Sequence, residues 1–444
     1  MRAASVAVAL TYVRMMSSKS PILQFQIMPK KSKTAVPAAP VLSGSPIGFS
    51  TASPDVVREL PDGVSADTPC ETLLNEDANL DEVFEPKVEV PWVPSRVTPE
   101  NFLSTGITTL NLSLTNSSDC GIEKGTMTWL IGASSSGKTL IALQLLAEAA
   151  NNPHFADYSL IYADVEGGAR FDLRPMFGNK LADRIEWATM TNGEMFHTVE
   201  DFYGYADTRQ RDDKPFILVL DSMDSLGTTP EAKRFLANIA EREENIAKGK
   251  EYESISPGMG DGKAKLNSTG LRRLRNKLPN NGSMFICVSQ ERTDITTGYK
   301  TVSGGKALKF YSDTALWLSA GKAITKEWKG LPRHYGNYAS FDIIKNRTSG
   351  MRAKIEFPIL IGTGISDVDS CVEWLGAETI FTVPKVPATQ AWTGTLPDGS
   401  QFKLTKQKLI EYFEEHPDVM KTMMQTRWHQ ILDNVVPVRK KRYE

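Results

Sequence analysis

Little in this sequence suggests metal chelation, membranes or a strong bulk charge, and each shortage narrows the reading. Of 444 residues only four are cysteine, Cys70, Cys120, Cys287 and Cys371, and they are scattered rather than set at metal-ligand spacing. A zinc module and a disulfide framework are therefore excluded, and a reducing compartment is the default. No apolar run approaches the ~20 residues needed to span a bilayer, so no membrane partner is expected. Lys and Arg total 51 against 53 Asp and Glu, a formal net charge of −2. That balance creates no general attraction for nucleic acid, so any such contact has to come from local patches. Acid is missing altogether from Met1 to Pro54, and Pro, Ala and Ser dominate 35–54. Such a stretch buries too little apolar surface to offset chain entropy, which predicts a disordered extension and linker over 1–86. Its opening, Met1 to Arg14, is basic, small and apolar like a transit peptide. Met28-Pro-Lys-Lys-Ser-Lys33 offers a rival start, and the expected location is cytoplasmic.

What is present begins with Gly132-Ala133-Ser134-Ser135-Ser136-Gly137-Lys138-Thr139, which has the spacing G-x-x-x-x-G-K-[ST] of a phosphate-binding loop. An apolar run, Met127 to Ile131, precedes it as a strand should. Helix formers without a breaker follow from Thr139 to Ala150. Backbone amides and a helix N-terminus favour a polyphosphate. Lys138 would meet the outer phosphates and Thr139 would hold Mg²⁺, so ATP and Mg²⁺ are the expected ligands.

Further apolar runs alternate with helical segments: Tyr158–Asp164, Phe216–Asp221, Ser283–Ser289 and Asp313–Leu318. Continuous apolar strands between helices predict an α/β core with a mostly parallel sheet covered on both faces. In such sheets ligands sit at the carboxyl ends of the strands. Phe216-Ile-Leu-Val-Leu-Asp221 ends in the acid expected to hold Mg²⁺ through water. Tyr162-Ala-Asp-Val-Glu166 ends in carboxylates, of which Glu166 reaches further and suits water activation. Gln290, just past another strand, can sense a γ-phosphate. Two long loops, Gly249–Leu266 and Glu291–Gly305, are bordered by Arg272, Arg273 and Arg275 and by Tyr299, Lys300, Lys306 and Lys309. Basic groups beside an aromatic suit single-stranded DNA, and equally suit a solvated face.

With these residues in place the chain resembles the RecA recombinases, including their phage UvsX-like branch. Ser104–Leu114 resembles the lead-in to that family's phosphate loop. Gly304-Gly305-Lys306-Ala-Leu-Lys-Phe-Tyr-Ser-Asp313 resembles the motif closing its second DNA-binding loop. Phe341-Asp-Ile-Ile-Lys345-Asn-Arg347 is similar to its Lys-Asn-Lys strand, and Phe357–Ser366 to the end of its ATPase core. The resemblance implies a RecA-like core over 87–365 and a small α+β C-terminal domain over 366–444. It makes Glu166 the catalytic glutamate and Gln290 the γ-phosphate sensor. Arg272, Arg292, Gly304 and Gly305 become DNA contacts, joined by Tyr299, Lys300 and Lys306 in the same loop. Lys345 and Arg347 become the pair that reaches a neighbour's ATP. The implied activity is DNA-dependent ATP hydrolysis by helical homo-oligomers on single-stranded DNA, pairing it with homologous duplex. A ring-shaped motor and a nucleotide-gated DNA-annealing scaffold remain open alternatives. The basic tail Arg439–Glu444 departs from the acidic tail of bacterial relatives.

Overall fold

The computed structural model describes residues 93–248, 262–293, 300–302, 305–387 and 390–437. The described chain opens with β1 (Phe102–Leu103), α1 (Thr108–Thr115), β2 (Ile122–Glu123), β3 (Met127–Gly132) and α2 (Lys138–Asn151). It continues through β4 (Ser159–Asp164), α3 (Leu173–Arg184, broken at Gly178), β5 (Ile185–Trp187), α4 (Val199–Arg209), β6 (Phe216–Asp221) and α5 (Thr229–Ala247). Next come α6 (Lys263–Asn281), β7 (Met284–Thr293), β8 (Lys300–Val302), α7 (Gly305–Tyr311), β9 (Thr314–Trp328), β10 (Leu331–Asn346), β11 (Lys354–Leu360) and β12 (Gly364–Ile365). The last elements are α8 (Asp367–Ala377), β13 (Ala391–Thr395), β14 (Gln401–Thr405), α9 (Lys406–Glu415) and α10 (Pro417–Val435).

Ten strands form the main sheet in the order β12-β11-β10-β9-β3-β7-β6-β4-β5, with β8 added to β7. From β9 to β5 every pairing is parallel. From β9 to β12 every pairing is antiparallel. The sequence shows why the middle of the sheet is covered twice. Leu160, Tyr162, Ile217, Val219, Ile286 and Val288 point into the core beneath α1 and α2. Their immediate neighbours Ile161, Ala163, Leu218, Leu220, Phe285 and Cys287 point into a second core against α4 and α6. Successive side chains leave a strand on opposite faces, so an unbroken apolar run serves two cores at once.

Local signals set the helix boundaries. Thr198 with Asp201, and Thr228 with Glu231, form reciprocal capping boxes that start α4 and α5. At the N-terminus of α1 the cap Ile107 has no polar side chain. The half-buried Asp367 supplies it instead, accepting from the Thr108 amide at 2.7 Å and its hydroxyl at 2.6 Å. Residues after β12 build a separate cluster around Phe381, Trp392, Phe413 and Met424, joined by Leu112 of α1. Trp374 and Trp428 pack against each other beside it, with ring centroids 6.4 Å apart.

Three expected boundaries shift. β9 runs on to Trp328, not Leu318, and pairs with β10 in a long hairpin. α6 opens at Lys263, inside the segment expected to be loop as far as Leu266, with Gly262 at φ 77° before it. The Glu291–Gly305 segment is rooted in a ladder, with Arg292 opposite Thr301 and Thr293 opposite Lys300. The disorder expected over 1–86 and the basic tail lie outside the described residues. No helix among the described residues is long and apolar enough to cross a membrane.

Candidate active site

The phosphate-binding loop links β3 to α2 at the carboxyl end of the sheet. Its glycines are required by space and by conformation. A Cβ on Gly132 would lie 2.5 Å from the Leu318 carbonyl oxygen of β9, and Gly137 has φ 99°. The Ser136 hydroxyl is buried without a partner, a spare donor inside the loop. Lys138 is almost fully buried and donates to the Ala133 carbonyl at 2.7 Å. Burial holds its ammonium below the ordinary lysine value, while the Asp221 and Glu166 carboxylates pull it back up.

Asp221 ends the buried strand β6. One oxygen, Oδ2, accepts from the Thr139 hydroxyl at 2.7 Å and from the Tyr162 phenol at 2.7 Å. Burial raises this carboxyl above the usual range, and the two donors counter that. Thr139 and Asp221 therefore stand side by side, as two groups that were to hold one Mg²⁺ would. With both hydroxyls on one oxygen, the other is free of those two donors and can face the water of a bound ion. Glu166, past the tip of β4, accepts through one oxygen from the Ser222 hydroxyl, from Ser225 at 3.3 Å and from the Gln290 amide at 2.8 Å. Ser136, Lys138, Thr139, Asp221, Glu166 and Gln290 line a cleft of about 590 Å³, together with Phe171, Asn337, Tyr338 and Ile359. The volume, the spare Ser136 hydroxyl and the buried ammonium fit a nucleoside triphosphate with its Mg²⁺.

The remaining expected residues separate into groups. Arg292 and Lys300 stand on the β7–β8 ladder at the same end of the sheet. Arg292 is exposed, and Lys300 pairs with Glu291 at 3.0 Å. Glu291 also accepts from the Trp317 indole at 2.7 Å. Arg272 is exposed on α6. Its basic neighbours are structural: Arg273 pairs with Asp207 at 3.2 Å and Arg275 with Asp313 at 2.9 Å. Gly305 and Lys306 open α7. Tyr299 and Gly304 lie outside the described residues.

Lys345 and Arg347 are not brought to this chain's own cleft. Lys345 pairs in register with Ala315, near the amino end of β9, whereas Gly132 pairs with Leu318. The Lys345 ammonium donates to the Lys309 and Phe310 carbonyls at 2.7 and 2.9 Å, capping α7. Arg347 pairs with Asp313 at 2.9 Å. Burial, and then the nearby Arg347, push Lys345 down to about 8.

Sequence reasoning missed Tyr162, Ser222, Ser225 and Asp224. Tyr162 was hidden inside an apolar run, where an aromatic is ordinarily core. The polar residues of Ser222-Met-Asp224-Ser225, directly after the strand-ending acid, were the available signal for the rest.

A glycine loop feeding a helix, with strand-tip acids beside it, is the arrangement of a phosphate-loop nucleotide-binding site. Comparison with known proteins narrows this. A family model described as the RecA N-terminal domain matches residues 251–366. The chain is 26% identical over 326 residues to Protein RecA of Colwellia psychrerythraea, covering 72% of this chain and 81% of that protein. It is 28% identical over 323 residues to Protein RecA of Nostoc punctiforme, covering 71% and 76%. Over 71–72% of its length the chain is thus similar to RecA proteins.

Proposed function

We propose that this protein is a DNA-dependent ATPase that assembles into helical filaments on single-stranded DNA and pairs it with homologous duplex. The observation carrying the proposal is the 2.8 Å contact between the Gln290 amide and Glu166. Gln290 lies on β7 two residues before Arg292, so the strand leading into the basic loop touches the carboxylate placed to polarise the attacking water. A strand-tip amide that senses the γ-phosphate can in this way transmit nucleotide state to a DNA contact, and the reverse.

In this reading the loop amides and Lys138 hold the β- and γ-phosphates, Thr139 and Asp221 hold Mg²⁺, and Glu166 orients water for in-line attack. Mg²⁺, when bound, neutralises charge on the phosphate oxygens. Lys345 and Arg347, directed away from their own cleft, serve the cleft of an adjoining copy. ATPase rates measured with and without single-stranded DNA test the proposal: stimulation supports it, and a rate indifferent to DNA rejects it.

Two expectations follow from the site. Tyr162→Phe keeps the ring that packs against Trp187 and removes only the donor to Asp221. The Mg²⁺ concentration giving half-maximal nucleotide binding should rise about tenfold, the scale of one hydrogen bond to a charged group. A magnesium titration with a fluorescent nucleotide reads this. Lys345 supplies a pH dependence. Its value near 8 in the folded chain lies below the ordinary lysine value of 10.5, so the native state binds fewer protons between them. Its contribution to stability therefore rises from pH 8 upward, while its positive charge is lost. If that charge serves a neighbour's ATP, DNA-stimulated turnover should fall above pH 8, and Lys345→Arg should remove the fall. A pH–rate profile of both proteins checks it.

A further inference from the structure

The turn after β6 carries one acid that the proposed chemistry does not use. Asp224 has a side chain only 5% exposed. One of its oxygens, Oδ2, accepts from the Gln290 backbone amide at 2.7 Å. The other, Oδ1, is buried with no hydrogen bond and lies 3.8 Å from the Arg292 guanidinium. That separation is an ion pair rather than a hydrogen bond. Burial raises the Asp224 carboxyl above its usual range, with the Gln290 amide, Arg292 and Lys263 opposing the rise. Lys263, the first residue of α6, also donates to the carbonyls of Asp224 and Leu226 on the same turn.

Gln290 is thus gripped twice, by Asp224 through its backbone and by Glu166 through its side chain. Arg292 is 63% exposed and free to be drawn outward by a phosphate. A buried carboxylate that loses its nearby cation keeps its desolvation cost and loses the compensating attraction.

We propose that Asp224 is a latch. It holds the tip of β7 in the resting position by pairing with Arg292, and an anionic phosphodiester backbone releases it by taking Arg292 away. This rests on the reading of the chain as a DNA-stimulated ATPase. In the latched position Gln290 occupies the Glu166 carboxylate. With Arg292 withdrawn, the β7 tip is held less firmly and Gln290 can leave Glu166 to act on water. Asp224 does not line the cleft, so it is a positioning residue, and its effect is on the resting state alone.

The test is Asp224→Asn, near in size and still able to accept from the Gln290 amide. Without DNA, its ATPase rate should rise on the order of tenfold, matching loss of one charge-assisted interaction. The rate at saturating single-stranded DNA should stay unchanged, and the DNA concentration giving half-maximal stimulation should fall. Arg292→Gln should also raise the DNA-free rate while weakening DNA binding. In the Arg292→Gln background Asp224→Asn should add little, because the two changes break the same contact. Unaltered DNA-free rates in both single variants overturn the latch, and so does an undiminished Asp224→Asn effect in the double variant. A wild-type protein that ignores DNA would instead reject the functional reading beneath it.

Discussion

Lys138→Ala is expected to abolish measurable ATP binding while leaving the chain as stable as before. The ammonium is almost fully buried and donates to a single carbonyl, that of Ala133 in its own loop. Burial already disfavours its charge in the nucleotide-free protein. The desolvation cost is therefore carried before any ligand arrives, and two anionic phosphates recover it. Two charge-assisted contacts contribute about 3–5 kcal/mol, so affinity should drop on the order of a thousandfold. The same logic predicts little change in the unfolding midpoint. Alanine removes one hydrogen bond and one unfavourable buried charge, which offset each other to within about 1 kcal/mol. Titration with a fluorescent nucleotide and a thermal melt without nucleotide separate the two effects. A variant that binds ATP normally would remove Lys138 from the site. One that melts far below the wild type would show its role to be structural.

The contrast between Lys138 and Lys345 shows what the sequence could and could not reveal. Lys138 is fixed by local chemistry: the glycines, the preceding apolar strand and the helix that follows are contiguous in sequence. Asp221 is legible for a related reason, since an acid ending an apolar strand has one place to go. The two-sided core was legible too, because residues such as Ile217 and Leu218 can both be apolar only if both faces are covered. The β9–β10 hairpin was not. Beyond Leu318 its residues are largely exposed, so they show no apolar run, and its existence depends on pairing with a strand still to come. The contacts of Asp224 with Gln290 and Arg292, 66 and 68 positions later, are equally invisible to spacing. The basic stretch Arg272-Arg273-Leu-Arg275 shows the opposite error. Its charges look alike in sequence, yet Arg273 and Arg275 are committed to Asp207 and Asp313. Only tertiary structure assigns each cation its carboxylate.

Glu166→Gln should give the largest loss of turnover with the least disturbance of binding. Gln290, Ser222 and Ser225 all donate to one Glu166 oxygen, and a glutamine carbonyl can accept from the same donors. The nucleotide-free geometry is therefore retained, and Lys138, Thr139 and Asp221 keep their places. What is lost is the negative charge that, in the proposed function, draws a proton from water in line with the γ-phosphate. Removing a positioned base costs about 10²–10⁴ in rate, so single-turnover hydrolysis should slow by that range while ATP affinity changes little. The effect on assembly follows from the same substitution. If ATP sits between adjoining copies and its hydrolysis releases DNA, complexes of the variant with ATP and single-stranded DNA should form and then persist. Light scattering after a salt or heparin challenge reads their lifetime. Rapid decay of those complexes, despite blocked hydrolysis, would separate disassembly from turnover and remove Glu166 from the release step. Unimpaired hydrolysis would pass the water-activating role to another group, and Asp164 would be next in line. It lies two residues earlier at the same strand tip, although its oxygens already accept from the Gly168 and Ala169 amides at 3.0 and 3.1 Å. That engagement shapes the Glu166–Ala169 turn and, with the longer reach of Glu166, favours Glu166 as the group proposed to hold the water.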